Sequence, residues 1–312
     1  MANRAHAKNK KVRIAQITVL ALCVVFALLI TYAPNLGLPT WGDLFRESGV
    51  NQAVNAKDYP FSVHYIDVGQ ADCSLIICGE DTILIDAGDV DSYDAVHIYL
   101  TAQNVSEIDY LILTHAHADH IGSADEVLKN YTVNNVIMPK YTEENMPTSE
   151  TYEDLLYALA DSGANVIAAK PGNSYTLSGC SFSVLAPNAD YTELNNSSVV
   201  IRLLYGNTAF LFQGDAEKKS EQAILDTGFC VSANVIKLGH HGSNTSSTAG
   251  YLSAVTPQLA VISCGEDNAY NHPSEKVLKR LDDLKIDYRR TDRNGNIVVA
   301  SDGNKIAVET EK

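Results

Sequence analysis

The chain has 312 residues, 46% of them hydrophobic, so it has material for one large domain or two small ones with an ample core. Its formal net charge is −15, from 23 basic and 38 acidic residues. An acidic body argues against broad electrostatic adhesion to nucleic acid or anionic lipid, while leaving room for a local basic groove.

The charge is uneven. Residues 1–42 hold Arg4, Lys8, Lys10, Lys11 and Arg13 and no acid. The stretch 14–33 carries no charge and is as long as one membrane-spanning helix. Cations just before it predict a cytoplasmic N-terminus, with the rest of the chain across the membrane. A cleavable signal peptide would have a shorter apolar core, and Thr31-Tyr32-Ala33 before Pro34 is a poor cleavage site. The expectation is a basic cytoplasmic segment over 1–13, a single-pass anchor over 14–33, a linker over 34–59 and an extracellular folded domain over 60–312. Beyond the anchor, Cys73, Cys78, Cys180, Cys230 and Cys264 are odd in number and lack metal-ligand spacing. They read as buried small hydrophobes.

The domain opens with an alternating strand over 61–67, broken at 68–72. A second strand over 73–78 and a third over 82–85 follow, the third ending in Asp86-Ala87-Gly88. Apolar spacing predicts a helix over 92–103. The apolar run 110–113 reads as a buried strand and ends in Thr114-His115-Ala116-His117-Ala118-Asp119-His120. A helix over 122–129, a strand over 135–138, a helix over 151–162 and a strand over 164–169 complete the first half. The second half gives strands over 180–185, 198–204 and 209–212, the last ending in Gln213-Gly214-Asp215. A helix over 217–225 follows. The run 235–238 leads into Gly239-His240-His241-Gly242-Ser243, and a strand over 259–263 leads to Tyr270-Asn271-His272-Pro273. Ser274 is placed to cap a helix running to Leu284. Residues 288–308 read as a closing hairpin turned at Asp302-Gly303. Two halves rich in strand–helix alternation predict an α/β fold of two packed sheets with helices outside.

Chemistry recurs at the strand ends: Asp67, Asp86, His115, His117, Asp119, His120, Asp215 and His240. In extended backbone, residues i and i+2 point the same way, so His115 and His117 are placed to grip one metal together. Asp119 and His120 lie past the turn and suit a second metal. Imidazole plus carboxylate suits zinc, iron or manganese. His6, His64 and His97 stand outside this pattern.

These motifs resemble the metallo-β-lactamase fold. Residues 114–120 match its HxHxDH signature, and Leu84-Ile85-Asp86-Ala87-Gly88 resembles the preceding strand. Gly214-Asp215 and His240-His241-Gly242-Ser243 resemble its later motifs. Within that superfamily, Asp67-Val68-Gly69-Gln70-Ala71-Asp72, Asn196-Ser197-Ser198-Val199, Asn271-His272-Pro273 and Thr291-Asp292-Arg293-Asn294-Gly295 look like the extracellular hydrolase domain of ComEC-type competence (DNA-uptake) proteins. The resemblance implies an αββα sandwich with two divalent ions, Zn2+ or Mn2+. His115 and His117 would hold the first. Asp119, His120 and one of His240 or His241 would hold the second, His240 being favoured for its place nearest the strand end. Asp215 would bridge, and Asp86 would orient a ligand imidazole. Asp67 would belong to the supporting or substrate-facing residues.

Lactamases and glyoxalases of this fold carry a further histidine between the first cluster and the bridging aspartate. No histidine lies between His120 and His240 here, and Asn196 or Ser198 stands in that place. This departure points away from those activities and towards a phosphodiester. The expected enzyme is a membrane-anchored DNase-like hydrolase using a metal-bound hydroxide, with Asp119 at the catalytic centre and His241, His272 or Lys237 facing substrate. A phosphorylcholine or teichoic-acid esterase, or another cell-envelope phosphoester hydrolase, is the alternative. A surface binding module with a relic site is the non-enzymatic one. The implied partners are DNA or another phosphodiester and the membrane, with no obligate protein partner evident.

Overall fold

A computed structural model describes residues 59–312. The basic segment, the expected anchor over 14–33 and the linker up to residue 58 lie outside the described residues. Among the described residues, no helix is long and apolar enough to cross a membrane.

The first strand, β1 (Phe61–Tyr65), shows how alternation becomes layers. Phe61, Val63 and Tyr65 enter the core between two sheets. Ser62 and His64 face the other way, where the His64 ring is hydrogen-bonded to Ser62 Oγ at 2.8 Å and to the Tyr99 hydroxyl at 2.9 Å. In chain order there follow β2 (Ser74–Cys78), β3 (Asp81–Ile85), α1 (Tyr93–Ala102), β4 (Glu107–Ile112), α2 (Ala118–Ile121), α3 (Ala124–Asn130), β5 (Thr132–Met138), α4 (Glu150–Ser162) and β6 (Asn165–Ala168). The second half gives β7 (Ser174–Thr176), β8 (Ser181–Ala186), β9 (Val200–Tyr205), β10 (Thr208–Phe212), α5 (Lys218–Asp226), β11 (Val235–Lys237), α6 (Ala249–Val255), β12 (Leu259–Ile262), α7 (Glu275–Leu284), β13 (Asp287–Arg290) and α8 (Thr291–Asn294). The hairpin of β14 (Ile297–Ser301) and β15 (Ile306–Thr310) closes the chain.

One sheet has eight strands in the order β15-β14-β1-β2-β3-β4-β5-β6, and the other has seven in the order β13-β12-β11-β10-β9-β8-β7. Their facing sides share one core, which includes Ile83, Ile112, Phe182, Phe210 and Val261. A second core packs α1, α3 and α4 on the outside of the first sheet. A third packs α5, α6 and α7 on the outside of the second. The result is the expected αββα sandwich. As expected, Ser274 caps α7, accepting the Lys276 N–H at 3.3 Å.

Three expectations need correction. The helix expected over 122–129 is α3, at Ala124–Asn130, but a further short helix, α2, precedes it inside the histidine motif, so Asp119 and His120 sit on a helical turn. The strand expected at 135 starts at Thr132. The closing hairpin does not begin at Tyr288: β13 pairs in parallel with β12 in the second sheet, and α8 separates it from β14. The described cysteines are all free; Cys230 is exposed and the other four are buried.

Strand direction places the chemistry. β3 and β4 run parallel, and so do β10, β11 and β12. Their carboxyl ends release Asp86, His115, Asp215 and His241 into one region, the usual crevice of parallel strands.

Candidate metal centre

Two nitrogens define the first half of the site: His115 Nε2 and His117 Nδ1 face each other at 2.9 Å. The second half is a group of Asp119, His120, Asp215 and His241 whose ligating atoms lie within 4.8 Å of one another. Asp215 stands between the halves. Its Oδ1 lies 3.3 Å from His120 Nε2, and its Oδ2 lies 3.9 Å from His115 Nε2 and 4.0 Å from His241 Nε2.

The Nδ1 atoms of His120 and His241 are held from behind, which aims their Nε2 into the site. His120 Nδ1 donates to Asp86 Oδ2 at 2.7 Å, and Asp86 Oδ1 accepts the Thr114 N–H at 2.8 Å. His241 Nδ1 donates to the Ser263 carbonyl at 3.0 Å, with Asp72 Oδ1 3.3 Å away. His241 Nε2 meets Asp119 Oδ2 at 3.1 Å. It is therefore His241, and not the favoured His240, that enters the four-residue group. Both histidines sit at φ +52, in the left-handed region, so simple alternation does not decide their directions.

The residues fit a cation. His120 Nε2 and Asp215 Oδ1 are buried and make no hydrogen bond, although they face each other. Two such atoms beside a second carboxylate are costly to bury without a positive charge between them. Burial raises the pKa of Asp215, but the His120 and His241 imidazoles outweigh it and hold the carboxyl well below its ordinary value. Burial lowers His241, but Asp215 and Asp72 outweigh it and raise its pKa to about 10. His115 is pushed well below its ordinary value, chiefly by burial.

Other predicted residues take different places. Lys237 does not reach the cavity; its Nζ donates to Asp72 Oδ2 at 2.8 Å and to the Leu238 carbonyl at 3.1 Å, deep in the protein. Asn196 is turned away from the metal ligands, accepting the Ser220 N–H at 3.2 Å, and Asn195 lines the cavity instead. Ser198 Oγ accepts the Asp215 N–H at 3.0 Å and so supports the carboxylate through its backbone. Asp67 stays outside, accepting the Gly69 N–H at 3.3 Å with Lys312 Nζ 3.9 Å away. His272 lines the cavity, and burial lowers its pKa to about 4.

Sequence reading missed Asp72 and Glu217. Asp72 stands in the quoted loop motif, but its link to Lys237 crosses 165 positions, so no local signal marks it. Glu217 reads only as a helix start, yet its Oε1 lies 3.3 Å from His240 Nδ1. His240 Nε2 in turn lies 3.8 Å from Asp215 Oδ2. The cavity over these groups has a volume of about 510 Å3 and is lined by His117, Asp119, Asn195, His240 and His272 among others.

Comparison with known proteins gives the family. The chain is 34% identical over 254 residues to ComE operon protein 3 of Bacillus subtilis, covering 75% of this chain and 32% of that one. It is 32% identical over 285 residues to competence protein ComA of Neisseria gonorrhoeae, covering 90% of this chain and 38% of that one. The chain thus spans about a third of the length of these relatives. Among solved structures, the metallo-beta-lactamase fold protein YhfI from Bacillus subtilis shares the fold, with a TM-score of 0.52 and 11% identity over 80% of this chain and 100% of that one. The Lactamase_B family model matches residues 66–266, and with its clustered histidines and aspartates the chain belongs to the metallo-beta-lactamase superfamily, the general class of metal-dependent hydrolases.

Proposed function

We propose that this chain is a membrane-anchored extracellular phosphodiester hydrolase acting on DNA. The observation that carries the reading is the open side of the His115–His117 pair. No histidine lies in the sequence between His120 and His240 to complete it, and a cavity of about 510 Å3, lined in part by His117, lies beside it. That space suits a phosphodiester with substituents on both sides. Similarity to competence proteins supports DNA as the substrate, and the uncharged stretch over 14–33 supports the anchor.

His115 and His117 would hold one divalent cation, Asp119, His120 and His241 a second, with Asp215 between them. Such cations supply hydroxide from water near neutral pH and offset charge on phosphoryl oxygens. The protein's own groups do the rest. Asp86 keeps His120, and the Ser263 carbonyl keeps His241, in the tautomer that presents Nε2. Glu217 holds His240 Nδ1, leaving Nε2 to carry a proton to the departing oxygen. His240 thus takes the substrate-facing role expected of His241. Asn195 and His272 form the wall that orients the phosphate.

The full-length chain, loaded with zinc or manganese, is expected to release acid-soluble nucleotides from DNA, and His117→Ala to lose at least 100-fold of that rate, about 2.7 kcal/mol. Unchanged turnover in His117→Ala would refute the site. Metal uptake without DNA hydrolysis would point to a smaller phosphoester of the cell envelope.

A further inference from the structure

Part of the cavity wall is a ladder of rings. Tyr270 is 70% exposed, yet its ring stacks on His272 with centroids 5.8 Å apart and planes 23° apart. His272 meets His240 edge-on, with centroids 5.5 Å apart at 74°. All three line the same cavity, so an aromatic path runs from solvent to the imidazole beside Asp215. The loop that carries the ladder is fixed from behind. Asn268 accepts the His272 N–H at 2.9 Å and donates to the carbonyls of Gly265 at 2.9 Å and His272 at 2.6 Å. Gly265 N–H is in turn held by Gln70 Oε1 at 3.0 Å. A large exposed ring already stacked on a neighbour whose backbone is held gives up less freedom when another flat ring lies on it.

We propose that Tyr270 is a stacking platform for an unpaired nucleobase next to the scissile phosphodiester. The proposal rests on the phosphodiesterase reading above and narrows its substrate to single-stranded nucleic acid, because a base in a duplex has its faces covered. The surroundings favour stacking over charge as the source of affinity. The neighbouring cleft, which shares His272, is lined by Glu266, Asp267 and Asp292 as well as Arg290 and Arg293. Arg290 is committed to Asp292 through bonds of 2.9 and 2.5 Å. Such a cleft does not track a long phosphate backbone. A quaternary ammonium headgroup is best held by a cage of aromatic faces, whereas this ladder offers one flat face.

Binding is read on full-length protein carrying His117→Ala, so that the strand is not cut. The probes are a fluorescently labelled single-stranded thymidine oligonucleotide and the same backbone with abasic residues. The base-bearing strand is expected to bind about tenfold more tightly. Tyr270→Ala should abolish that preference, and Tyr270→Phe should keep it. Equal binding of the two strands, or a preference that survives Tyr270→Ala, overturns the platform. So does displacement of the preferred strand by phosphocholine at equal concentration. Base preference in binding with no cleavage of either strand by the wild-type chain removes the phosphodiesterase reading and leaves the platform standing. Cleavage of both strands without base preference does the reverse.

Discussion

Asp72 and Lys237 form a buried ion pair behind His241, with side chains 5% and 3% exposed. Burial raises the pKa of Asp72, but Lys237 and His241 outweigh it and keep the carboxyl below its ordinary value. Asp86 lies close enough that Asp72, Asp86 and His120 form a group with ligating atoms within 4.8 Å. Lys237 therefore offsets the repulsion between two buried carboxylates. Lys237→Met would leave Asp72 buried without its counter-charge. Urea unfolding should show a loss of roughly 3–5 kcal/mol. Adding Asp72→Leu should recover much of that stability while metal affinity stays low, because the carboxylate charge behind His241 is gone. An unchanged unfolding midpoint in Lys237→Met would contradict the charge-balancing role. At this scale the meeting of His115 and His117 was legible, since residue type and the i, i+2 rule suffice to bring the two rings together. The choice between His240 and His241 was not, because left-handed backbone at both breaks the alternation.

At the scale of elements, the loops that close β10 and β11 depend on one buried acid. Glu221, on α5, accepts N–H groups from Ser247 and, at 3.0 Å, from Thr248, and it holds Gln213 Nε2 at 3.0 Å. Gln213 Oε1 then accepts the Gly239 N–H at 3.1 Å, just before the two histidines. The Asp215 loop and the His240–His241 loop are thereby fixed to one another. Close packing acts in the same sense. A Cβ on Gly214 would lie 2.8 Å from Thr114 Cβ, and one on Gly242 would lie 2.6 Å from Pro273 Cβ. Glu221→Ala leaves buried donors unsatisfied, and we expect a loss of about 1–3 kcal/mol in thermal unfolding with weaker metal binding. Full metal affinity in that variant would show that the loops hold themselves. The main strands were legible from their apolar runs and alternation. β7 was not, being three residues long with no buried side chain.

Across the whole molecule, the two sheets give the site its rigidity and the core gives it a pH limit. His64 lies in the first sheet, remote in function from the metal centre, and burial lowers its pKa from the ordinary 6.5 to about 3. The unfolded chain therefore binds the extra proton between those values and the folded chain does not. Stability from this group is complete above pH 6.5 and falls as pH drops towards 3, by about 1.4 kcal/mol per pH unit. Comparing the pH dependence of unfolding for wild type and His64→Gln checks this, since the variant should lose one proton's worth of slope. The αββα arrangement was legible because apolar strand runs and amphipathic helices alternate along the chain. The true partner of β13 was not, because a parallel pairing with β12 leaves no local turn signal.

The two-cation centre would be built from His115 and His117 on one side and Asp119, His120 and His241 on the other. Elemental analysis of the purified full-length chain tests it most directly, with His117→Ala, His241→Ala and His240→Ala measured in parallel. About two divalent ions per wild-type chain are expected. The content should fall in His117→Ala and His241→Ala and stay at the wild-type value in His240→Ala. Loss of metal in His240→Ala with full occupancy in His241→Ala would contradict it.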